Sequence, residues 1–239
     1  MLISIVVSTK DRLESLKALF ESIKKYTRDF EFIVVDDDSK DNTRAWLAKH
    51  SIKRIENITS VPVAVAWNQG AEISTGKYIV FLNDDMLVTE GWIEHQMEMW
   101  KALPLCGSLA FKVYDDQGNI QSRGHSFRGL QPYLPPEEAS EVDYSDHPFT
   151  TKRNWQKVGG FTAHSHLYYE DADFGLKLQS MGLKNYYNAG AVLIHQTIGL
   201  RTGSEEDKKR RKYNEEVIQQ KAKVSFYKSW TNYLNSKSV

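Results

Sequence analysis

The chain has 239 residues, enough to bury one full core and better matched to one elaborated domain than to two. Its 31 basic and 31 acidic side chains cancel to a formal net charge of zero, so the overall balance calls for no nucleic-acid partner. Cys106 is the sole cysteine, which excludes a disulfide within the chain and fits a reducing compartment. No stretch approaches the roughly 20 apolar residues that span a bilayer. Residues 1–7 lack the basic start and length of a signal peptide. The expected location is the cytoplasm, with peripheral contact at the inner face of the membrane as an alternative.

Residues 2–8 read as a buried strand, short and β-branched. Residues 12–26 follow with apolar side chains at 13, 16, 19, 20 and 23, the helical spacing. A second strand over 31–35 ends in Asp36-Asp37-Asp38-Ser39, then a short helix carries Trp46 and Leu47, and a weak strand covers 52–55. Residues 62–73 predict a helix, broken by Gly76 before a strand over 78–82 that ends in Asn83-Asp84-Asp85. Strands alternating with helices imply an α/β fold with a mostly parallel sheet, whose ligands gather beyond the carboxyl ends of the strands.

Residues 108–113 and Ile120–Ser122 flank Asp115-Asp116-Gln117-Gly118-Asn119, which is rich in hairpin-turn residues. The stretch 128–151 has little periodicity and contains Pro132, Pro135, Pro136 and Pro148, so a long irregular loop is expected. Helix returns over 168–181 to Gly182, and a short strand over 191–194 ends at His195. From Asp207 onward nine basic residues face three acidic ones. Val217, Val224, Phe226, Tyr227, Trp230 and Leu234 fall near one helical face, which predicts a terminal helix docked on the domain. Peripheral binding to an anionic membrane is the alternative.

The strand ends carry the chemistry. Asn83-Asp84-Asp85 offers two carboxylates and an amide, the hard oxygen ligands that Mg²⁺ or Mn²⁺ takes when it neutralises a diphosphate. A polar turn closing a strand accounts for it equally well. Asp36-Asp37-Asp38 suits base N–H groups, ribose hydroxyls or metals, or a turn in which Ser39 or Asp41 caps the next helix. Thr9 and Arg12 can meet nucleotide and phosphate groups. Glu170-Asp171-Ala172-Asp173 opens a helix, where acids are favoured by its dipole; one of them can also serve as a general base. His195, past a strand, can join an acidic metal site.

In this order the motifs are recognisable. The chain resembles the family 2 glycosyltransferases of GT-A fold, and within them the bacterial rhamnosyl- and galactofuranosyl-transferase-like members. The pieces are IVVSTKDR (3–12), FIVVDDDSKDNT (32–43), AWNQGAEISTGKYIVFLNDDM (66–86), WQKVGGF (155–161), YYEDADFGLKLQSMG (168–182) and the His195 segment. The resemblance implies one catalytic domain over 1–200, with a nucleotide-sugar-binding part (1–112), an acceptor and catalytic part (113–200), and a basic helical tail (201–239). It implies that Thr9 and Arg12 line the nucleotide pocket, Asp37 reads the base and Asp84 lies near the ribose. Asp85 and His195 would hold Mn²⁺ or Mg²⁺, with Asn83 a neutral first member of the family's Asp-x-Asp motif. Asp171 would be the general base with Glu170 in support, and Trp155 and Gly160 would shape the sugar and acceptor pocket. The implied activity is inverting transfer from a nucleotide-diphosphate sugar to a glycan or lipid-linked acceptor in surface polysaccharide synthesis. UDP- and dTDP-sugars lead, because Asp37 suits a uracil or thymine N–H.

Two other classes share these features. A nucleotidyltransferase needs a Gly-rich basic loop for triphosphate, and Ser8-Thr9-Lys10-Asp11-Arg12 has no glycine. A decayed sugar-nucleotide-binding module has no need of acids at 84, 85, 170 and 171 together with His195.

Overall fold

The computed structural model of the protein describes residues 3–128, 130–136, 140–196 and 205–237, with side chains in the last segment from 215 onward. Leu2, Thr197-Ile198-Gly199 and residues 201–204 of the expected tail lie outside the described residues. The first β-branched run is strand β1 (Ile3–Thr9), buried throughout except for half-buried Ser8. Helix α1 (Leu13–Tyr26) turns Leu16, Leu19 and Ile23 into the core at the expected spacing. The alternation continues through β2 (Phe30–Asp37), α2 (Thr43–Lys49), β3 (Lys53–Asn57), α3 (Val63–Ile73) and β4 (Tyr78–Asn83).

These four strands are mutually parallel in the order β4-β1-β2-β3. Thr9 pairs with Asp36 and Ser8 with Asn83, so the polar ends of β1, β2 and β4 share one edge. Helix α3 approaches β1 closely at Gly70, where a Cβ would stand 2.4 Å from Val6 Cγ1. β5 (Met86–Val88) and helix α4 (Trp92–Ala102) come next. The helix buries Trp92, Ile93 and Gln96. The expected hairpin follows as β6 (Cys106–Asp115) and β7 (Ile120–Ser122), its turn held by Asp115 Oδ1, which accepts the Gln117 and Asn119 amides at 2.9 and 2.7 Å.

The described residues of the stretch expected to be an irregular loop take part in four short strands. β8 (Ser126–Arg128) and β9 (Gln131–Tyr133) form a small hairpin, and β10 (Glu141–Val142) reaches the main sheet. β11 (Phe149–Thr151) is inserted antiparallel between β4 and β6, with Phe149 opposite Val80 and Leu109. Three residues are too few for periodicity to register, and Pro148 sits just before the strand, where its missing N–H removes no β11 donor. Helix α5 (Lys152–Lys157) is capped by Thr151, whose Oγ1 accepts the Asn154 amide at 3.1 Å. Helix α6 (Glu170–Ser180) leads into β12 (Lys184–His195), which is parallel to β6 and antiparallel to β5 and β10. β12 is longer than the four-residue strand expected, because a register shift between Asn188 and Val192 breaks its pattern. The main path runs β10-β12-β6-β11-β4-β1-β2-β3, in which β12-β6 and β4-β1-β2-β3 are parallel while β10 and β11 pair antiparallel with their neighbours.

Helix α7 (Glu205–Ser236) docks on the domain. Phe226 and Leu234 are buried with Tyr144, Ala172 and Leu176. The Trp230 indole N–H donates to Asp173 Oδ1 at 2.9 Å and the Tyr227 hydroxyl to the Leu130 carbonyl at 2.5 Å. Val224, expected on the docked face, is instead 64 % exposed. Among the described residues no helix is long and apolar enough to cross a membrane. Tyr227, Trp230 and Tyr233 pack against the cluster around Phe226 and are partly buried.

Candidate functional site

Two loops set the floor of the site. Asp11 accepts the Lys40 and Asp41 amides at 2.5 and 3.2 Å, while Ser39 Oγ accepts the Asp11 amide at 3.0 Å. The N-cap of α2 is Asn42 rather than the expected Ser39 or Asp41; Asp41, one residue earlier, accepts the Thr43 amide at 2.9 Å, and its other oxygen accepts the Leu13 amide at 3.2 Å. The turns after β1 and β2 are thus tied together, which fixes Arg12 at the start of α1.

Thr9, Arg12, Asp37, Asn83 and Asp84 line one cleft of about 320 Å³ beyond the strand ends. All five residues expected around a donor nucleotide are brought together there. Asp84 is buried; its carboxylate accepts the Thr9 hydroxyl at 2.6 Å and the Arg12 guanidinium at 2.9 Å. Burial outweighs these donors and the nearby Asp85 adds to it, raising the Asp84 carboxyl to about 6. Asp37 accepts the Val61 amide at 2.8 Å and the Ser60 hydroxyl at 2.5 Å, so it holds the loop after β3 while facing the cleft. Asp36 points inward to Arg44 at 2.7 Å, and Asp38 pairs with Lys40. Only the middle member of that acidic triplet lines the cleft.

Asp85 and His195 meet at the side of the cleft, with Asp85 Oδ2 3.2 Å from His195 Nε2 and 3.0 Å from Arg12. β5 and β12 pair His195 with Met86, and the Gln196 amide donates to the Asp85 carbonyl at 2.7 Å. Burial would raise the Asp85 carboxyl, but His195 and Arg12 prevail and hold it below the usual range; Asp85 in turn raises His195. His195 Nδ1 lies 2.8 Å from Gln121 Oε1, an acceptor, so Nδ1 carries a proton and Nε2 is the nitrogen turned to Asp85. Asp85 Oδ1 is buried without a hydrogen-bond partner. A carboxylate with a spare buried oxygen beside an imidazole nitrogen fits a divalent cation. Among the described residues no three His, Cys, Asp or Glu side chains converge as a metal cluster, so further ligands must come from phosphate or water.

At the other end, Glu170 and Asp171 open α6 and are half-buried beside a second cavity of about 220 Å³. Burial and the neighbouring Asp146 push the Asp171 carboxyl up to about 7, and burial together with Asp171 raises Glu170. Asp146 is itself paired with His125 Nε2 at 2.8 Å. The adjacent His147 is buried, with neither ring nitrogen hydrogen-bonded. Burial lowers its imidazole below the usual range. Sequence reasoning missed His125, Asp146 and His147; the bridge between His125 and Tyr144 brings the supposed loop, with Asp146 and His147, beside His125. The available signal was an Asp-His pair ahead of the β-prone run Phe149-Thr150-Thr151.

Asp173 takes no part in the pocket. It is buried between His164, Lys177 and Trp230, which overcome its burial and lower it to about 2. Trp155 and Gly160 also stand apart: they line a different groove with Asn68 and Glu72, sharing no residue with the cleft. The Trp155 N–H donates to Asn68 Oδ1 at 3.1 Å while its ring packs in the core with Trp67, Phe81 and Phe161. At Gly160 (φ 71°) a Cβ would stand 2.5 Å from Asn68 Oδ1, which accounts for the glycine by packing.

Comparison with known proteins agrees with this architecture. Residues 4–172 match the model of glycosyl transferase family 2. The O-antigen biosynthesis protein RfbC of Myxococcus xanthus is 26 % identical over 81 % of the chain, which spans 17 % of that relative. A UDP-Glc:alpha-D-GlcNAc-diphosphoundecaprenol beta-1,3-glucosyltransferase of Escherichia coli, WfgD, is 31 % identical over 46 % of the chain and 44 % of the relative. The chain therefore spans less than half the length of either. Among solved structures, GalNAc-T7 with UDP, GalNAc and Mn²⁺ superposes at TM-score 0.70 over 94 % of this chain and 50 % of that one, at 16 % identity. S. aureus TarS in complex with UDP-GlcNAc superposes at 0.65 over 87 % and 61 %, at 17 % identity. At such identities the likeness shows the fold.

Proposed function

The chain belongs to glycosyl transferase family 2, and on that premise we propose that it moves a sugar from a nucleotide-diphosphate donor to a hydroxyl of a glycan or lipid-linked acceptor, inverting the anomeric carbon. The carrying observation is that one cleft collects Thr9, Arg12, Asp37, Asn83 and Asp84, with the Asp85–His195 pair at its side. Thr9 and Arg12 orient the nucleotide and its phosphates, Asp37 receives a base N–H, and Asp84 lies at the ribose. Asp85 and His195 are the residues that would hold Mn²⁺ or Mg²⁺, which supplies positive charge to the departing diphosphate when bound. UDP leads among the nucleotides, since the named donor of the Escherichia coli relative is UDP-Glc. That relative's name and the O-antigen role of the other support an acceptor in surface polysaccharide synthesis.

Asp171 takes the proton of the acceptor hydroxyl as that oxygen attacks the anomeric carbon and the bond to the diphosphate breaks. A carboxyl raised to about 7 is matched to this task near neutral pH. Asp146 keeps negative charge beside it, which favours the protonated product of the step. The test is calorimetry with UDP, dTDP, GDP and their sugars, with and without Mn²⁺, followed by sugar transfer. Metal-dependent affinity for one nucleotide, lost in Asp85→Asn, is expected. Absence of such affinity for every nucleotide would point to a decayed module instead.

A further inference from the structure

Beside Asp171 lies a cavity of about 220 Å³ that shares no residue with the nucleotide cleft. It is lined by Pro132, Tyr144, Tyr168, Tyr169, Glu170 and Asp171, and by Gln219 of the C-terminal helix. Ligand sites for drug-sized molecules occupy ~300–1,000 Å³, so this space suits a single ring rather than a chain or a prenyl tail. The aromatic walls offer flat apolar faces, and two carboxyls with an amide offer polar partners for hydroxyls. Among the described residues no Lys or Arg lines the cavity, so no cation there draws an anion.

The backbone supports the same conclusion. Tyr168 and Tyr169 are consecutive non-glycine residues in the left-handed region, with φ 78° and 67°. Each costs of order 1–3 kcal/mol and persists only where the surroundings impose it. Here Tyr169 is stacked on Phe226 of α7 with ring centroids 4.8 Å apart, and Phe226 also stacks on Phe127. The docked helix therefore fixes the tyrosine pair that presents Glu170 and Asp171.

We infer that this cavity is the acceptor subsite, that it receives one uncharged pyranose ring of a glycan, and that helix α7 is one of its walls. The inference deepens the proposed activity and rests on it for the word acceptor. Stacking on the tyrosines places a ring hydroxyl at Asp171, while Gln219 contacts a second hydroxyl.

The experiment uses the full chain and its Gln219→Trp and Tyr168→Phe-plus-Gln219→Ala variants. Gln219 is exposed on its helix, and Tyr168→Phe removes only a hydroxyl while keeping the ring. Binding of methyl glucosides, methyl N-acetylglucosaminides and methyl galactosides is read by saturation-transfer NMR, with glucose 6-phosphate as the anionic probe. UDP affinity with Mn²⁺ is measured in parallel. At least one neutral glycoside should bind the wild type, glucose 6-phosphate should not, and Gln219→Trp should weaken the glycoside at least tenfold while UDP affinity stays within twofold. No glycoside binding to the wild type, or unchanged binding in both variants, overturns the subsite. Glycoside binding that behaves as expected in a chain with no nucleotide affinity would leave the subsite standing and sink the glycosyl-transfer reading.

Discussion

Asp171 owes its role to where it is buried. A base must be deprotonated to act, so turnover should fall about tenfold per pH unit below roughly 7 and level off above it. A rate that stays flat down to pH 5 removes Asp171 from the role. Asp171→Asn should lower transfer by a factor of about 10²–10⁴ and leave nucleotide affinity nearly unchanged. Asp173, two residues on, titrates for the opposite reason. Its folded value of about 2 lies below the ordinary 3.8, so it contributes stability above about pH 4 that is lost as pH falls toward 2. Asp173→Asn should cost about 2 kcal/mol in urea unfolding at pH 7, a difference that closes near pH 2. These two roles could not be told apart in the sequence, where both acids sit in one helix start. Asp146 and Trp230 of α7 act on them from 25 or more positions away, and His164 reaches Asp173 from nine positions before it.

At the scale of elements, burial on both faces made β1, β2 and β4 legible. Parallel strands covered by helices read as continuous apolar runs, and their ends carry Thr9, Asp37 and Asp84 into one cleft. β11 was not legible. Phe149-Thr150-Thr151 is a strand because β4 and β6 each offer it an edge, and such context outweighs local pattern. Losing β11 from the sequence reading also hid Asp146 and His147, which precede it. Packing at Gly70 is a sharper instance of contact between elements. Gly70→Ala would put a methyl 2.4 Å from Val6 Cγ1, and although alanine favours helix, the overpacking should cost about 1–3 kcal/mol in denaturation. A variant as stable as wild type would mean that α3 shifts freely on the sheet. On the opposite side, Phe226→Ala should destabilise by about 3–5 kcal/mol and weaken glycoside binding at the same time, because Tyr169 loses its stacking partner.

For the molecule as a whole, the division expected near residue 200 meets a helix whose aromatic residues join the core beside α6. Ligand should report on this as a unit. UDP with Mn²⁺ at ~100 times its dissociation constant should stabilise the fold by about 2.7 kcal/mol in a thermal shift. Asp85→Asn and His195→Ala should each remove the metal-dependent part of that shift.

The insertion of β11 has a consequence for how the chain is made. β1 to β4 lie within the first 83 residues, and their pairings are complete once that segment has emerged. The outer edge of β4, however, waits for Phe149, and β6 waits for Lys184 before β12 can pair with it. Until then the apolar strand Tyr78–Asn83 displays unpaired N–H and C=O groups, a template for any other extended chain. A nascent chain stalled between residues 90 and 148 should therefore aggregate through that edge. Light scattering of truncations ending before Phe149 and of pieces extending past His195 would show the change, with the longer pieces staying monomeric.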